Sequence, residues 1–154
     1  MLTQYQLPSG NMPSSLGRSE TKDTLVQWCH GAPGFIPLMC ACVRVYPEQA
    51  ERYISHALKM TETVWERGLL RKGVGLCHGI AGNGYAFLGL YRATGDPLHL
   101  HRAHAYASCI CTHWTDMVST PDRPLSLYEG VAGAVCYLLD CLDPDRARFP
   151  GYEY

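Results

Sequence analysis

One short pattern occurs three times along the chain, and it constrains the fold more than any other feature of the sequence. In each copy, two glycines are separated by two residues and are preceded by a pair of residues with polar or reactive side chains. The copies are Cys29-His30-Gly31-Ala32-Pro33-Gly34, Cys77-His78-Gly79-Ile80-Ala81-Gly82 and Tyr128-Glu129-Gly130-Val131-Ala132-Gly133. Their first glycines lie 48 and 51 residues apart. A near-constant period of this size predicts repeated supersecondary units that share a core with their neighbours.

Two kinds of helical segment alternate after these glycines. The first kind is apolar on nearly all sides, as in a fully buried helix, at Phe35, Ile36, Leu38, Met39, Cys42 and Val43, at Tyr85, Phe87, Leu88, Leu90 and Tyr91, and at Val135, Tyr137, Leu138 and Leu139. The second kind is amphipathic, with apolar faces at Ala50, Tyr53, Ile54, Ala57, Leu58, Thr61, Val64 and Trp65 and at Ala103, Tyr106, Ala107, Ile110 and Trp114. Strand signals of period two are absent. We therefore predict an all-α fold of inner and outer helices, either a partial α/α toroid or a helical solenoid.

The bulk composition limits the remaining possibilities. A chain of 154 residues, 47% of them apolar, can build one domain core. Residues 1–26 are rich in Ser, Gly, Pro and Thr and are predicted to form a surface loop that leads into this domain. The formal charge of −1 gives no reason to expect nucleic acid as a partner. The apolar runs are too short for a transmembrane segment.

Eight cysteines occur without an N-terminal signal sequence, which favours free thiols in the cytoplasm. Six of them lie in apolar helical stretches and are predicted to be small core residues: Cys40, Cys42, Cys109, Cys111, Cys136 and Cys141. Five histidines on amphipathic segments are predicted to be solvated: His56, His99, His101, His104 and His113.

The two Cys-His pairs, Cys29-His30 and Cys77-His78, are the candidate metal ligands. A catalytic zinc keeps three protein ligands of this type and leaves its fourth position open. We call each copy of the repeated pattern a glycine tip. If the repeats stack, equivalent glycine tips lie side by side and distant thiols converge. Each tip precedes a helix N-terminus, where the dipole favours a thiolate. From the spacing alone, buried cysteines beside helix-capping turns are an equally good interpretation.

At this point four segments together resemble eukaryotic LanC-like proteins, which are relatives of the cyclase that closes lanthionine rings in bacteria. The segments are Trp28-Cys29-His30-Gly31-Ala32-Pro33-Gly34, Gly75-Leu76-Cys77-His78-Gly79, Ala81-Gly82-Asn83 and Ser126-Leu127-Tyr128-Glu129-Gly130-Val131-Ala132-Gly133. The similarity extends from about Pro8 to the C-terminus.

The resemblance implies a toroid of inner and outer helices, and residues 27–154 would form its C-terminal part, about three of seven repeats. It also implies one zinc ion, held by Cys29, Cys77 and His78. His30 matches the residue that follows the first ligand, so the resemblance implies that it orients or supports the site without binding metal.

The resemblance further implies that the protein binds glutathione. The family's contacts to the tripeptide fall on Lys72 and on Ser119, Thr120, Pro121 and Asp122. Close relatives have a basic residue at the position of Ser119, so this chain lacks one expected positive charge. Glu129 is expected either to accept a hydrogen bond near the site or to stabilise a helix N-terminus.

Similar proteins are implicated in adding the glutathione thiol to dehydroalanine or dehydrobutyrine residues. We expect this activity of the intact protein only, because the family's acid and base residues belong to an N-terminal half that this chain does not show. One alternative is a non-catalytic adaptor that binds zinc or glutathione. Another, ranked last, is a carbohydrate enzyme of α/α-toroid fold, which would need paired carboxylates. The expected location is the cytoplasm, with peripheral attachment at the plasma membrane as an open alternative.

Overall fold

The computed structural model describes residues 2–15, 22–118 and 123–153. These residues form six α-helices and no strand, which confirms the all-α prediction. The helices are α1 (Ala32–Val45), α2 (Ala50–Arg67), α3 (Ile80–Thr94), α4 (Pro97–Thr112), α5 (Trp114–Met117) and α6 (Val131–Asp140). Short 3-10 helices cover Leu2–Tyr5 and Pro47–Gln49.

Helix α3 is the centre of the molecule. It packs against α1 on one side and α6 on the other, while α2 and α4 pair with α1 and α3. All residues from Ile80 to Leu90 are buried, as predicted for an inner helix. The described helices thus form two consecutive inner and outer pairs, α1 with α2 and α3 with α4, and a third inner helix, α6, consistent with part of an α/α toroid.

The prediction of full burial is wrong for the other two inner helices. Leu38 of α1 is 42% exposed, and Leu139 of α6 is 60% exposed. The physical reason is that α1 and α6 each pack against one inner helix, whereas α3 packs against two. Their apolar residues on the opposite side therefore remain accessible to solvent.

Outer helices α2 and α4 follow the predicted amphipathic pattern with two corrections. In α2, Leu58 and Trp65 belong to the predicted apolar face but are 40% and 38% exposed, because the buried face is centred on Met60 and Val64. In α4, His99 was predicted to be solvated but is only 1% exposed. Its position in the first turn of α4 turns it toward the interior, and burial lowers the pKa of its ring.

The six cysteines predicted to be core residues differ in exposure. Cys40 and Cys141 are buried, whereas Cys111 is exposed; Cys42, Cys109 and Cys136 are half-buried. The prediction is therefore wrong for Cys111, which lies on the outer helix α4. An apolar neighbourhood in sequence does not bury a residue on the solvent side of a helix.

The N-terminal segment is folded back onto the helices. The Asn11 side chain accepts a hydrogen bond from the backbone N–H of Ala32 at 2.8 Å and donates one to the Leu25 carbonyl at 3.0 Å. Asp23 forms an ion pair with Arg67 at 2.9 Å. These contacts hold the segment that leads into the first glycine tip.

The C-terminal segment packs against the same tip from another side. The ring of Phe149 stacks on that of Trp28 with 4.9 Å between centroids, and Tyr152 meets Trp28 edge-on at 4.9 Å. The Glu153 carboxylate binds Arg92 at 2.5 Å and the Phe149 backbone N–H at 2.9 Å. Among the helices of the described ranges, none has the combination of length and apolarity that a bilayer span requires.

Candidate metal centre

Backbone hydrogen bonds join the three glycine tips in order. The backbone N–H of Cys29 donates to the carbonyl of Cys77 at 3.1 Å, and the N–H of Cys77 donates to the carbonyl of Tyr128 at 2.7 Å. Cys29, Cys77 and Tyr128 occupy the same position in the three repeats. The stacking of equivalent tips, inferred from the spacing, is what brings the two thiols together.

The second glycine of each tip has a common structural role. A Cβ atom would lie 2.1 Å from the Trp28 carbonyl oxygen at Gly34, 1.8 Å from that of Leu76 at Gly82, and 2.2 Å from that of Leu127 at Gly133. In each repeat the first turn of the helix thus packs directly on the backbone six residues earlier.

The first glycines differ from one another. Of the three first glycines, only Gly31 has a positive φ, of 120°. At Gly79 and Gly130 the requirement is the close approach of another backbone segment. The close approach of other backbone segments therefore explains most of the repeated glycines, and a positive φ is a reason only at Gly31 of the first tip.

Three of the predicted ligands form one cluster. The Sγ atoms of Cys29 and Cys77 and a ring nitrogen of His78 all lie within 4.8 Å of one another. Tetrahedral zinc, with Zn–S bonds of about 2.3 Å, needs donor atoms about 3.8 Å apart. Cys29 is exposed, and Cys77 and His78 are half-buried. The donor types and their spacing fit a zinc site open on one side.

The electrostatics of this cluster favour a cation. The pKa of Cys77 is raised to about 12, first by burial and then by the hydrogen bond and charge of Cys29 and the charge of Glu129. The net shift at Cys77 is opposite in direction to the effect expected of a helix dipole, because burial and the neighbouring Cys29 and Glu129 raise the pKa. A bound cation would remove that penalty by compensating the negative charges.

Glu129 of the third tip lies near the cluster. Its backbone N–H donates to the Ser126 hydroxyl at 3.1 Å. Its Oε2 atom is buried and has no hydrogen-bond partner among the described residues. The carboxylate is outside the group of three donors but close enough to raise the pKa of Cys77.

Gln27 is a residue of the site that the sequence reasoning missed. Its Nε2 atom donates a hydrogen bond to Sγ of Cys29 at 3.1 Å. Its Oε1 atom accepts one from Nζ of Lys72 at 2.8 Å. Its position two residues before Cys29 was the available signal, but spacing alone does not show which side chains turn toward a thiol.

The other predicted residues are placed as follows. Lys72 is exposed and contacts Gln27. His30 is exposed, outside the donor cluster, and its Nδ1 atom lies 2.8 Å from the Ser14 carbonyl oxygen. The glutathione contacts predicted at Ser119, Thr120, Pro121 and Asp122 lie outside the described residues.

A cavity of about 540 Å³ adjoins the first tip. Its walls include Cys29 and His30 together with the aromatic rings of Trp28, Phe149 and Tyr152. The cavity is bounded by α1, the N-terminal segment and the C-terminal segment. It offers apolar surface next to one of the candidate metal ligands.

Comparison with known sequences identifies the family. The sequence model described as lanthionine synthetase C-like protein matches residues 1–154, which is the whole chain. The chain belongs to the LanC-like family. The family resemblance inferred from the glycine tips is thereby confirmed.

Two relatives in the LanC-like family are similar to this chain over nearly its full length. A Danio rerio protein named glutathione S-transferase LANCL1 is 45% identical over 150 residues, which cover 97% of this chain and 36% of that protein. An Arabidopsis thaliana protein named LanC-like protein GCL1 is 42% identical over 149 residues, which cover 94% of this chain and 34% of that protein. This chain therefore spans about a third of the length of these LanC-like relatives.

Proposed function

We propose that this chain holds one zinc ion through Cys29, Cys77 and His78. The observation that carries the proposal is the convergence of two Sγ atoms and one ring nitrogen within 4.8 Å, although Cys29 lies 48 residues before Cys77. Two thiolates and a neutral imidazole balance the charge of Zn²⁺ and leave one coordination position for a ligand. The buried carboxylate of Glu129, which is close enough to raise the pKa of Cys77, supports the same conclusion.

We further propose that the intact protein adds the thiol of glutathione to dehydroalanine or dehydrobutyrine residues of peptides or proteins. When bound, zinc supplies a lowered pKa for a coordinated thiol, so that a thiolate exists at neutral pH. The reaction forms one S–C bond at the β-carbon and moves the π electrons of the double bond toward the α-carbon, which then takes up a proton. The family and the name of the Danio rerio relative support the choice of glutathione.

The residues of this chain would contribute binding and orientation. Lys72 is the exposed cation next to the site and is expected to attract a carboxylate of glutathione. Ser119, Thr120, Pro121 and Asp122 are expected to contact the same tripeptide. The cavity beside Cys29 offers an apolar surface for the acceptor peptide. We assign the proton donor to no residue of this chain and expect the isolated chain to be inactive.

A second candidate is a non-catalytic adaptor that binds zinc or glutathione. The sequence favours it at Ser119, where close relatives have a basic residue, because the expected glutathione pocket lacks one positive charge. In either case we expect the protein to act in the cytoplasm, with peripheral attachment at the plasma membrane as the alternative.

Metal analysis tests the zinc site first. The purified protein is expected to contain about one equivalent of zinc, and Cys77→Ala to lose it. Cys111→Ala is the matched control, since Cys111 is an exposed thiol of α4 outside the donor cluster. Wild-type protein that binds no zinc after reconstitution would contradict the proposal.

Mass spectrometry then separates the two candidates. A longer LanC-like protein that contains this chain is incubated with glutathione and a dehydroalanine peptide, and addition increases the peptide mass by that of one glutathione. The Cys77→Ala variant is expected to give no adduct above the uncatalysed rate. Zinc-loaded protein that binds glutathione but forms no adduct would favour the adaptor.

A further inference from the structure

The side chain of Gln27 connects an exposed cation to a candidate metal ligand. Nζ of Lys72 donates to Oε1 of Gln27 at 2.8 Å, and Nε2 of Gln27 donates to Sγ of Cys29 at 3.1 Å. Gln27 itself is 6% exposed. Its backbone is held by paired hydrogen bonds with His30 at 3.1 and 3.0 Å. The amide therefore has a fixed starting point and a polar partner at each end.

The chemistry of the partners determines which way the amide faces. A lysine ammonium group only donates hydrogen bonds, so the group facing Lys72 must be the amide oxygen. The NH₂ group then faces Cys29, and the reverse orientation would place donors opposite donors. Gln27 thus meets Sγ of Cys29 as a hydrogen-bond donor, which suits a thiolate and in particular a metal-bound thiolate.

We propose that Gln27 is a positioning residue for the ligand Cys29, and that Lys72 acts on the metal centre through Gln27. This inference rests on the proposed zinc binding and gives Lys72 a role beyond the predicted contact with glutathione. Cys29 is the exposed member of the three ligands and lies outside any helix, so its side chain needs an external contact to hold its orientation. The amide supplies that contact, and Lys72 keeps the amide from turning over.

The structure offers variants that separate these roles. Gln27→Leu removes both polar ends while keeping a buried side chain of similar size. Lys72→Met removes the cation, and Lys72→Arg keeps a donor toward Oε1. Lys59→Met is the matched control, because Lys59 is an exposed lysine of α2 outside the metal centre.

Zinc affinity, measured by competition with a chromophoric chelator, is the first readout. Loss of a partner that orients a metal ligand weakens metal binding by about 10- to 100-fold. We expect Gln27→Leu to fall in this range and Lys72→Met to show a smaller loss in the same direction. Lys72→Arg and Lys59→Met should retain the wild-type affinity. The double variant of Gln27→Leu and Lys72→Met should bind no more weakly than Gln27→Leu alone, since Lys72 acts through Gln27.

The absorption spectrum of the cobalt-substituted protein is the second readout. A hydrogen bond to a thiolate lowers the energy of its lone pairs, so its removal shifts the thiolate-to-cobalt charge-transfer band to longer wavelength. Gln27→Leu and Lys72→Met should both show this shift, and Lys72→Arg should not. A merely structural role of Gln27 would leave the band of the correctly folded variants unchanged.

Each outcome has a distinct meaning. If wild-type protein binds neither zinc nor cobalt, the proposed function itself is wrong. If wild-type protein binds metal and all variants match it in affinity and spectrum, the metal site stands and the positioning role is overturned. If Gln27→Leu weakens binding but Lys72→Met does not, the action of Lys72 through Gln27 is overturned. Far-ultraviolet circular dichroism checks the fold of Gln27→Leu, and Lys72→Met tests the same contact from an exposed position.

Discussion

Substitution of Gly82 by alanine tests the link between the glycine tips and the candidate metal centre. The added Cβ would lie 1.8 Å from the carbonyl oxygen of Leu76, whereas real Cβ contacts are essentially never shorter than 3.0 Å. The first turn of α3 and the Leu76 backbone must therefore separate by at least about 1.2 Å. Leu76 is followed directly by Cys77, whose backbone is bonded to both neighbouring tips.

The magnitude follows from two opposing terms. Overpacking of an interior costs about 1–3 kcal/mol, and a displacement of two backbone segments belongs at the upper end of that range. Alanine in place of glycine inside a helix contributes about 1 kcal/mol in favour of folding. We expect Gly82→Ala to lower the free energy of unfolding by about 2 kcal/mol. Because zinc–ligand distances tolerate only about 0.2 Å, its zinc affinity should fall at least about tenfold.

Gly89→Ala in the same helix is the matched control. A Cβ atom at Gly89 would meet only Sγ of Cys40 at 3.9 Å, which is an ordinary contact. This variant should gain about 0.5–1 kcal/mol in stability and keep its zinc affinity. Urea denaturation and chelator competition measure both quantities. If Gly82→Ala were as stable as Gly89→Ala and bound zinc like the wild type, the proposed packing of the tips would be refuted.

Three further predictions concern protons and helix ends. Burial lowers the pKa of His99, so below pH about 6.5 the unfolded chain binds a proton that the folded chain does not, and stability should fall as the pH decreases through this range. His99→Leu should reduce the fall in melting temperature between pH 7.5 and 5.5, and an unchanged pH profile would count against this account. The pKa of Cys77 is raised to about 12, so its thiol must lose a proton when metal binds. Calorimetric titration with zinc in two buffers of different ionisation enthalpy should show the release of at least about one proton, and zinc affinity should rise with pH. Heats that do not depend on the buffer would contradict this prediction. The Asp96 carboxylate accepts a hydrogen bond from the Leu98 N–H at 2.9 Å at the start of α4, so Asp96→Ala should lower the free energy of unfolding in urea by about 1 kcal/mol. Asp143→Ala, at an exposed position outside the helices, should lower it by less than about 0.5 kcal/mol.

The sequence by itself determined the type of fold and the candidate ligands. Helical periodicity is a local property, and the amphipathic pattern around Tyr53 and Val64 predicted an outer helix that the structure contains. The spacing of Gly31, Gly79 and Gly130 predicted stacked units, and hydrogen bonds between equivalent residues of the three tips agree with it. The family followed from the same segments.

Only the tertiary structure decided which side chains turn toward the candidate metal centre. Gln27 and Lys72 are 45 residues apart, and their contact depends on the path of two loops that no periodicity describes. Likewise, the burial of His99 depends on the tertiary packing of the first turn of α4, although its sequence neighbours indicated a solvated face.

The exposure of inner helices also depended on tertiary structure. The apolar segments containing Leu38, Leu139 and Leu88 look alike in sequence, yet only Leu88 is fully buried. Its helix, α3, has an inner neighbour on each side, whereas α1 and α6 have one. Hydrophobic pattern shows which surface a helix can bury, but the number of packed neighbours determines how much of that surface water still reaches.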